Sequence, residues 1–277
     1  KQGYKSSTVS KTVTAGLDTT ADFALTSPGG EVLLFLENNR THSIEAGGDP
    51  ATNGRWNQMI FDAMDATGYD YDVRYMLYYD GSNGWIEDGP PTYDIMSQYD
   101  LVLEQNFEQF IIFPEYYEYD DDIMQYLEAG GSYGYLTGHE WMYYADYEGF
   151  TVPTKLMTDY FFETLSFGDA SDKCDDTATV TGVTGDPISG DFTGGKTLTT
   201  EHRYEDRIEG DVNIFTSDVS NYYCAIRSGD TRNWKTVWFG FYWTDFTSTE
   251  ETADADFKLL TKNICDWLAT PLAYAPI

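Results

Sequence analysis

Positive charge is the scarcest feature of this sequence: 277 residues carry 16 Lys+Arg against 47 Asp+Glu, a formal net charge of −31. A field of that sign repels phosphate backbones and anionic lipid surfaces, which excludes sequence-independent nucleic-acid binding and adhesion to acidic membranes. Cysteine is nearly absent as well. Cys174, Cys224 and Cys265 are too few for a disulfide scaffold and fit no zinc spacing. One bridge, Cys174 with Cys224, and one buried thiol is the plain reading. Histidine occurs only at His42, His139 and His202, with no spacing that would support a three-histidine metal site. No apolar run approaches the roughly 18 residues of a membrane-spanning helix. There is no glycine-rich dinucleotide fingerprint after the first apolar strand, where Glu37-Asn38-Asn39-Arg40 stands instead.

Core-forming material, by contrast, is plentiful. Apolar residues make up 41% of the chain and aromatics 17%, with 23 Tyr, 16 Phe and 7 Trp. That excludes a disordered acidic tail and predicts a folded, very acidic protein. The acidity, the low lysine count, the Tyr/Thr/Gly-rich composition and a sequon at Asn39-Arg40-Thr41 together point to an extracellular or cell-surface location, with Asn39 as glycosylation acceptor. The opening Lys1-Gln2-Gly3-Tyr4, without an initiator Met, is what a processed or excised chain would show.

Residues 7–26 alternate and are rich in Thr, Val and Ser, which predicts two strands about a turn, closed by Ser27-Pro28-Gly29-Gly30. From residue 31 strands and helices alternate. Val32–Leu36 is a short apolar run, as in a strand buried on both faces of a parallel sheet. Trp56–Thr67 has helical spacing and stops at Gly68. Further strands are predicted over Tyr71–Leu77, Tyr99–Glu104 and Ser132–Thr137, with helices over Tyr119–Ala129, Lys155–Leu165 and Ala255–Leu268. Between 174 and 243 the period is two, with strands near Ala178–Val183, Val212–Thr216, Tyr222–Arg227 and Thr236–Tyr242. The alternation predicts a three-layer α/β domain with a mostly parallel sheet, plus the N-terminal β-hairpin segment.

Two resemblances accompany this pattern. Gly3-Tyr4-Lys5, Thr8 to Gly16 and Thr19 to Thr26 resemble the closing strands of a carboxypeptidase-regulatory-like β-sandwich. Residues 1–30 then read as the terminal strands of that module and a linker. Residues 31–277 resemble a class I glutamine amidotransferase-like, flavodoxin-like domain of extracellular multidomain proteins. The matching phrases are Val32–Leu36, Gly68-Tyr69-Asp70-Tyr71-Asp72-Val73, Tyr99-Asp100-Leu101-Val102, Leu127 to Ser132, Val180 to Ile188 and Cys265-Asp266-Trp267-Leu268.

Active members of that group carry a cysteine nucleophile at the turn after the strand that matches Tyr133–Thr137. Here the turn reads Thr137-Gly138-His139-Glu140-Trp141, with no thiol, so covalent acyl transfer by that route cannot operate. Gly138, His139 and Glu140 are expected to be a vestigial elbow, His139 fixing the turn and Glu140 capping the next helix. The competing role is a general base or metal ligand at His139, oriented by Glu140. Ligands of open α/β sheets lie beyond the carboxyl ends of the strands, which nominates Glu37, Asn38, Gln105, Asn106 and Trp243 as a cleft rim for a glycan, peptide or protein partner. Asp169, Asp172, Asp175 and Asp176 surround Cys174 and offer hard oxygens of the kind calcium takes, without EF-hand spacing. Asp120-Asp121-Asp122 is explained by a helix N-terminus alone.

The function expected from these readings is a non-catalytic extracellular structural or adhesive subunit. Val9, Val13, Phe23 and Leu25 are apolar positions in a segment too short to bury them, and a hairpin alone is marginal in water. Donating that segment to another copy would give a head-to-tail filament. The alternative is an accessory substrate- or partner-binding domain cut from a secreted hydrolase.

Overall fold

The computed structural model describes residues 32–38, 55–79, 85–87, 91–105, 120–136, 155–161, 164–165, 179–198, 208–218, 223–241, 243–247 and 252–270. In chain order its first half contains β1 (Val32–Asn38), α1 (Arg55–Thr67), β2 (Tyr71–Tyr79), β3 (Trp85–Glu87), α2 (Tyr93–Met96), β4 (Leu101–Gln105), α3 (Asp120–Glu128) and β5 (Ser132–Tyr135). Then come β6 (Thr164–Leu165), β7 (Thr179–Gly182), β8 (Lys196–Thr197), β9 (Ile208–Glu209), β10 (Val212–Ser217), β11 (Tyr223–Ser228), β12 (Lys235–Phe239) and α4 (Ala255–Ala269). Ten strands form one sheet in the order β3-β2-β1-β4-β5-β12-β11-β10-β7-β8, and β6 pairs with β9 apart from it.

The expected mostly parallel, flavodoxin-like three-layer sheet is wrong. Only β2-β1, β1-β4, β4-β5 and β5-β12 pair parallel. The other five neighbours, β3-β2, β12-β11, β11-β10, β10-β7 and β7-β8, are antiparallel. The reason is connection length. Gly229–Trp234 is all that joins β11 to β12, well short of the roughly dozen residues a parallel crossover needs, so the chain must turn back on itself. Gly229 makes that turn at φ +107, where an added Cβ would sit 2.1 Å from the Trp234 carbonyl oxygen. The helix expected over Lys155–Leu165 is also shorter than expected: Met157–Phe161 is a π-helical turn, and Thr164–Leu165 pairs as a strand with Ile208–Glu209.

The parallel strands are apolar on both faces because both are covered. Leu34, Leu36, Leu101 and Leu103 face Met59, Ile60 and Met64 of α1 and Phe257, Leu260 and Ile264 of α4. Leu33, Phe35, Val102 and Tyr133 face Met96, Tyr126, Leu127 and the π-turn residues Tyr160 and Phe161. Helix α1 stops at Gly68, whose φ of +83 a residue with a Cβ adopts only under strain. Helix α4 reaches under the antiparallel arm as well, where Ile214, Phe215, Cys224 and Ala225 join the same apolar body.

Both ends of α4 are satisfied by side chains. Asp254 accepts from the Phe257 amide at 2.9 Å as N-cap. At the other end Lys235, a buried β12 residue, donates to the carbonyls of Trp267 at 2.6 Å and Thr270 at 2.8 Å. Its ammonium also lies 4.8 Å from the Trp267 ring centre, with the Arg227 guanidinium 5.0 Å from the same ring. Burial lowers the Lys235 pKa from its ordinary value, and the cation meets helix-end carbonyls there rather than a carboxylate.

Leu34 is fully buried between β2 and β4. Leu34→Asp places an unpaired charge there, at a cost of several kcal/mol against a total stability of about 5–15 kcal/mol. The variant is expected to be insoluble or to lose its cooperative melting transition in calorimetry. A soluble variant with wild-type melting would contradict the assignment of β1 to the sheet centre.

Candidate functional site

The chain leaves β1 toward β2 on one side and later places β4 on the other, so β1 and β4 flank the point where strand order reverses. Crevices outside the carboxyl ends at such a point are where open sheets hold ligands. Here that end is built from the last residues of β1 and β4, from Leu136 after β5, and from a 3-10 turn, Trp243–Phe246, after β12. The backbone ties them together. Leu136 donates its amide to the Glu104 carbonyl at 3.0 Å, and Trp243 donates to the Leu136 carbonyl at 3.2 Å.

Of the expected rim residues, Glu37 and Asn38 close β1, with Asn38 opposite Leu77 of β2. Gln105 closes β4 opposite Leu36 and is 1% exposed. Trp243 is brought to the same end but not to a rim. It is fully buried, its ring edge-on to Phe257 with centroids 5.2 Å apart. Asn106 and Asn39 lie outside the described residues, as do the elbow Gly138, His139 and Glu140, the acidic loop Asp169, Asp172, Asp175 and Asp176, and the hairpin positions Val9, Val13, Phe23 and Leu25. Among the described residues no group of three or more His, Cys, Asp or Glu is placed to hold a metal ion.

Sequence reasoning missed the pair that sits beside Gln105. Period-two alternation puts Glu104 on the opposite face, where its carboxylate accepts from the buried Tyr133 hydroxyl. Burial first, and then the Glu104 charge, raises the Tyr133 pKa well above its ordinary value. A phenol so held keeps its proton at neutral pH. The available signal was Leu101-Val102-Leu103-Glu104-Gln105, two polar residues ending a strand buried on both faces. Asp245, buried in the 3-10 turn, follows a strand and so lies where rim residues are expected, whereas its buried neighbour Thr244 gave no sequence signal.

The two described cysteines are core residues. Cys224 lies in β11 with its carbonyl accepting from the Gly240 amide at 2.7 Å, and Cys265 lies in α4; both are fully buried. Burial also pushes the Cys265 thiol well above the usual cysteine range. Cys174, the partner expected for Cys224, is outside the described residues.

No family model matches this chain, and no curated protein does. Its backbone is similar to cytoplasmic protein STM3548 from Salmonella typhimurium, with a TM-score of 0.56 at 14% identity, covering 86% of this chain and 98% of that one. That likeness shows a fold and no function. Weaker likenesses are to the mmIFT52 N-terminal domain, at TM-score 0.48 and 11% identity over 86% of this chain and 97% of that one. Another is to exo-beta-1,4-mannosidase Op5Man5 from Opitutaceae bacterium strain TAV5, at 0.42 and 11% over 86% and 35%. Neither carries an argument.

Tyr133→Phe removes the phenol donor from Glu104 and leaves the ring. The loss of a buried bond to a charged acceptor is expected to cost about 1.5–3 kcal/mol, read as a lower midpoint in urea unfolding. An unchanged midpoint would mean that the hydroxyl is not what holds the carboxylate.

Proposed function

We propose that this chain is a non-catalytic structural subunit of the cell exterior, and that copies of it join head to tail through residues 1–27. Three features support the non-catalytic part. The elbow Thr137-Gly138-His139-Glu140 carries no thiol, Cys224 and Cys265 are sealed in the core, and Tyr133 is locked as a neutral phenol. The acidity and the Asn39-Arg40-Thr41 sequon support the exterior location.

The observation that carries the assembly is the state of the sheet edges. The outermost strands, β3 and β8, have three and two residues, too short to hold a partner strand. Strand β2 is different. It runs for nine residues, and β3 pairs with it only at Leu77, Tyr78 and Tyr79. A strand from residues 7–26 of another copy, added beside the sheet at β2, gains ladder hydrogen bonds and covers Val9, Val13, Phe23 and Leu25. Because donor segment and acceptor edge are different surfaces, the contact does not close on itself and propagates.

Light scattering or native mass spectrometry of the full chain is expected to show multiples of the 31.4 kDa subunit. Val13→Asp with Phe23→Asp is expected to return the monomer with an unchanged melting transition, and removal of residues 1–27 to do the same. A monomeric full chain, or a double variant that assembles as well as the parent, would contradict the reading.

A further inference from the structure

Buried polar side chains in most of the described structure have partners. Ser132 donates to the Leu268 carbonyl at 3.0 Å, Thr236 to Tyr160 at 2.6 Å and Thr261 to Phe257 at 2.8 Å. At the carboxyl end of the parallel strands this pattern breaks. Both amide atoms of Gln105, the indole Nε1 of Trp243 and the hydroxyl of Thr244 are buried with no hydrogen-bond partner among the described residues. These residues are 1%, 0% and 0% exposed, so bulk water does not serve them. An unanswered buried polar group is costly, and proteins keep few of them. Three such residues gather at one end of a sheet, at the point where strand order reverses, which is where open sheets hold their ligands.

Gln105 and Trp243 share a face. Alternation along β4 puts Gln105 on the side of Leu101 and Leu103, the side on which Trp243 packs against Phe257 of α4. The Trp243 backbone is one hydrogen bond from Leu136, which is one from Glu104, the neighbour of Gln105.

The chemistry of the unpartnered atoms sets the ligand class. Two are N–H donors, Gln105 Nε2 and Trp243 Nε1, and a bare cation satisfies neither. An anion would need a counter-charge, and three of the described cations are already engaged: Lys196 by Asp254 and Asp256, Arg227 by Asp186 and Asp230, and Lys235 by the end of α4. The net charge of −31 opposes an anion further. The class that fits is a neutral molecule that both accepts and donates. We propose that Gln105, Trp243 and Thr244 form the floor of a binding site for an uncharged ligand rich in hydroxyl and carbonyl groups, of the kind an amide-substituted sugar presents. This site is independent of the assembly through residues 1–27, and either stands if the other fails.

N-acetylglucosamine, which joins hydroxyls and an acetamide in one small neutral molecule, is the probe. It is titrated into the full chain and into Gln105→Leu, with Thr244→Val as second variant, reading the melting temperature and the indole N–H resonances. The sugar is expected to raise the wild-type midpoint and shift an indole N–H resonance. Gln105→Leu is expected to melt about 2–4 °C above the unliganded wild type, because it removes an unanswered amide. Its affinity for the sugar is expected to fall at least tenfold, and Thr244→Val to weaken the sugar in the same direction. A Gln105→Leu protein that is less stable or does not fold would overturn the proposal, since the amide then holds the structure or a buried water only. So would a wild type that does not respond to the sugar, or variants that bind it as well as the wild type does.

Discussion

A chain with 47 carboxylates and 16 Lys+Arg side chains has to settle its negative charge largely without cations, and tyrosine hydroxyls take that part. Tyr69 donates to Asp266 at 3.1 Å, Tyr71 to Asp65 at 3.0 Å, Tyr99 to Asp72 at 3.0 Å and Tyr160 to Glu128 at 2.8 Å, and Tyr133 donates to Glu104. Each ring fills apolar space while its O–H covers a charge. The pairs also tie elements together: Tyr69 joins the end of α1 to α4, Tyr99 joins the start of β4 to β2, and Tyr160 joins the π-helical turn to α3. An ammonium in these places would have to be desolvated; a neutral phenol carries a much smaller penalty.

The few cations are correspondingly concentrated. Arg227 takes two carboxylates, Asp186 at 2.7 Å and Asp230 at 2.5 Å, and Asp186 in turn accepts from the amides of Ile188 and Ser189. Lys196 takes Asp254 and Asp256. Lys235 is used to finish α4 and not to pair with an acid. Arg227 and Lys235 lie on the neighbouring strands β11 and β12, where the parallel strands meet the antiparallel arm, and Lys196 ties the outermost strand β8 to the start of α4.

Much of the order of elements was legible in the residues. Val32–Leu36, the helical spacing ending at Gly68, the run Leu101–Leu103 and the closing helix near 255–268 all appear as read, because apolar periodicity is a local signal. Strand direction is not local. It was set by connections such as Gly229–Trp234, and the period-two stretch from 174 to 243 already contained the hairpins that make half the sheet antiparallel. Two-residue strands such as β6, β8 and β9 have no period to read. Gln105 was legible as a polar end to an apolar strand. Trp243 was placed at the right end but on the wrong side of the surface, since an aromatic after a strand looks alike in sequence whether it lines a rim or fills a core. Glu104 and Tyr133 escaped because their partnership lies across strands.

The claim that phenols stand in for cations is tested most directly by following tyrosinate absorbance and near-ultraviolet circular dichroism together as pH rises. Burial, reinforced by the Asp65 and Glu128 partners, pushes Tyr71 and Tyr160 up to about 12 from an ordinary 10. A phenol whose folded pKa is raised contributes stability that is complete below pH 10 and is lost as pH climbs through about 12. The account predicts two phases: exposed tyrosines ionise near pH 10 with the fold intact, and Tyr71 and Tyr160 ionise only near pH 12, together with loss of tertiary signal. Ionisation of all 23 tyrosines in a single step near pH 10, with the circular dichroism unchanged, would contradict it.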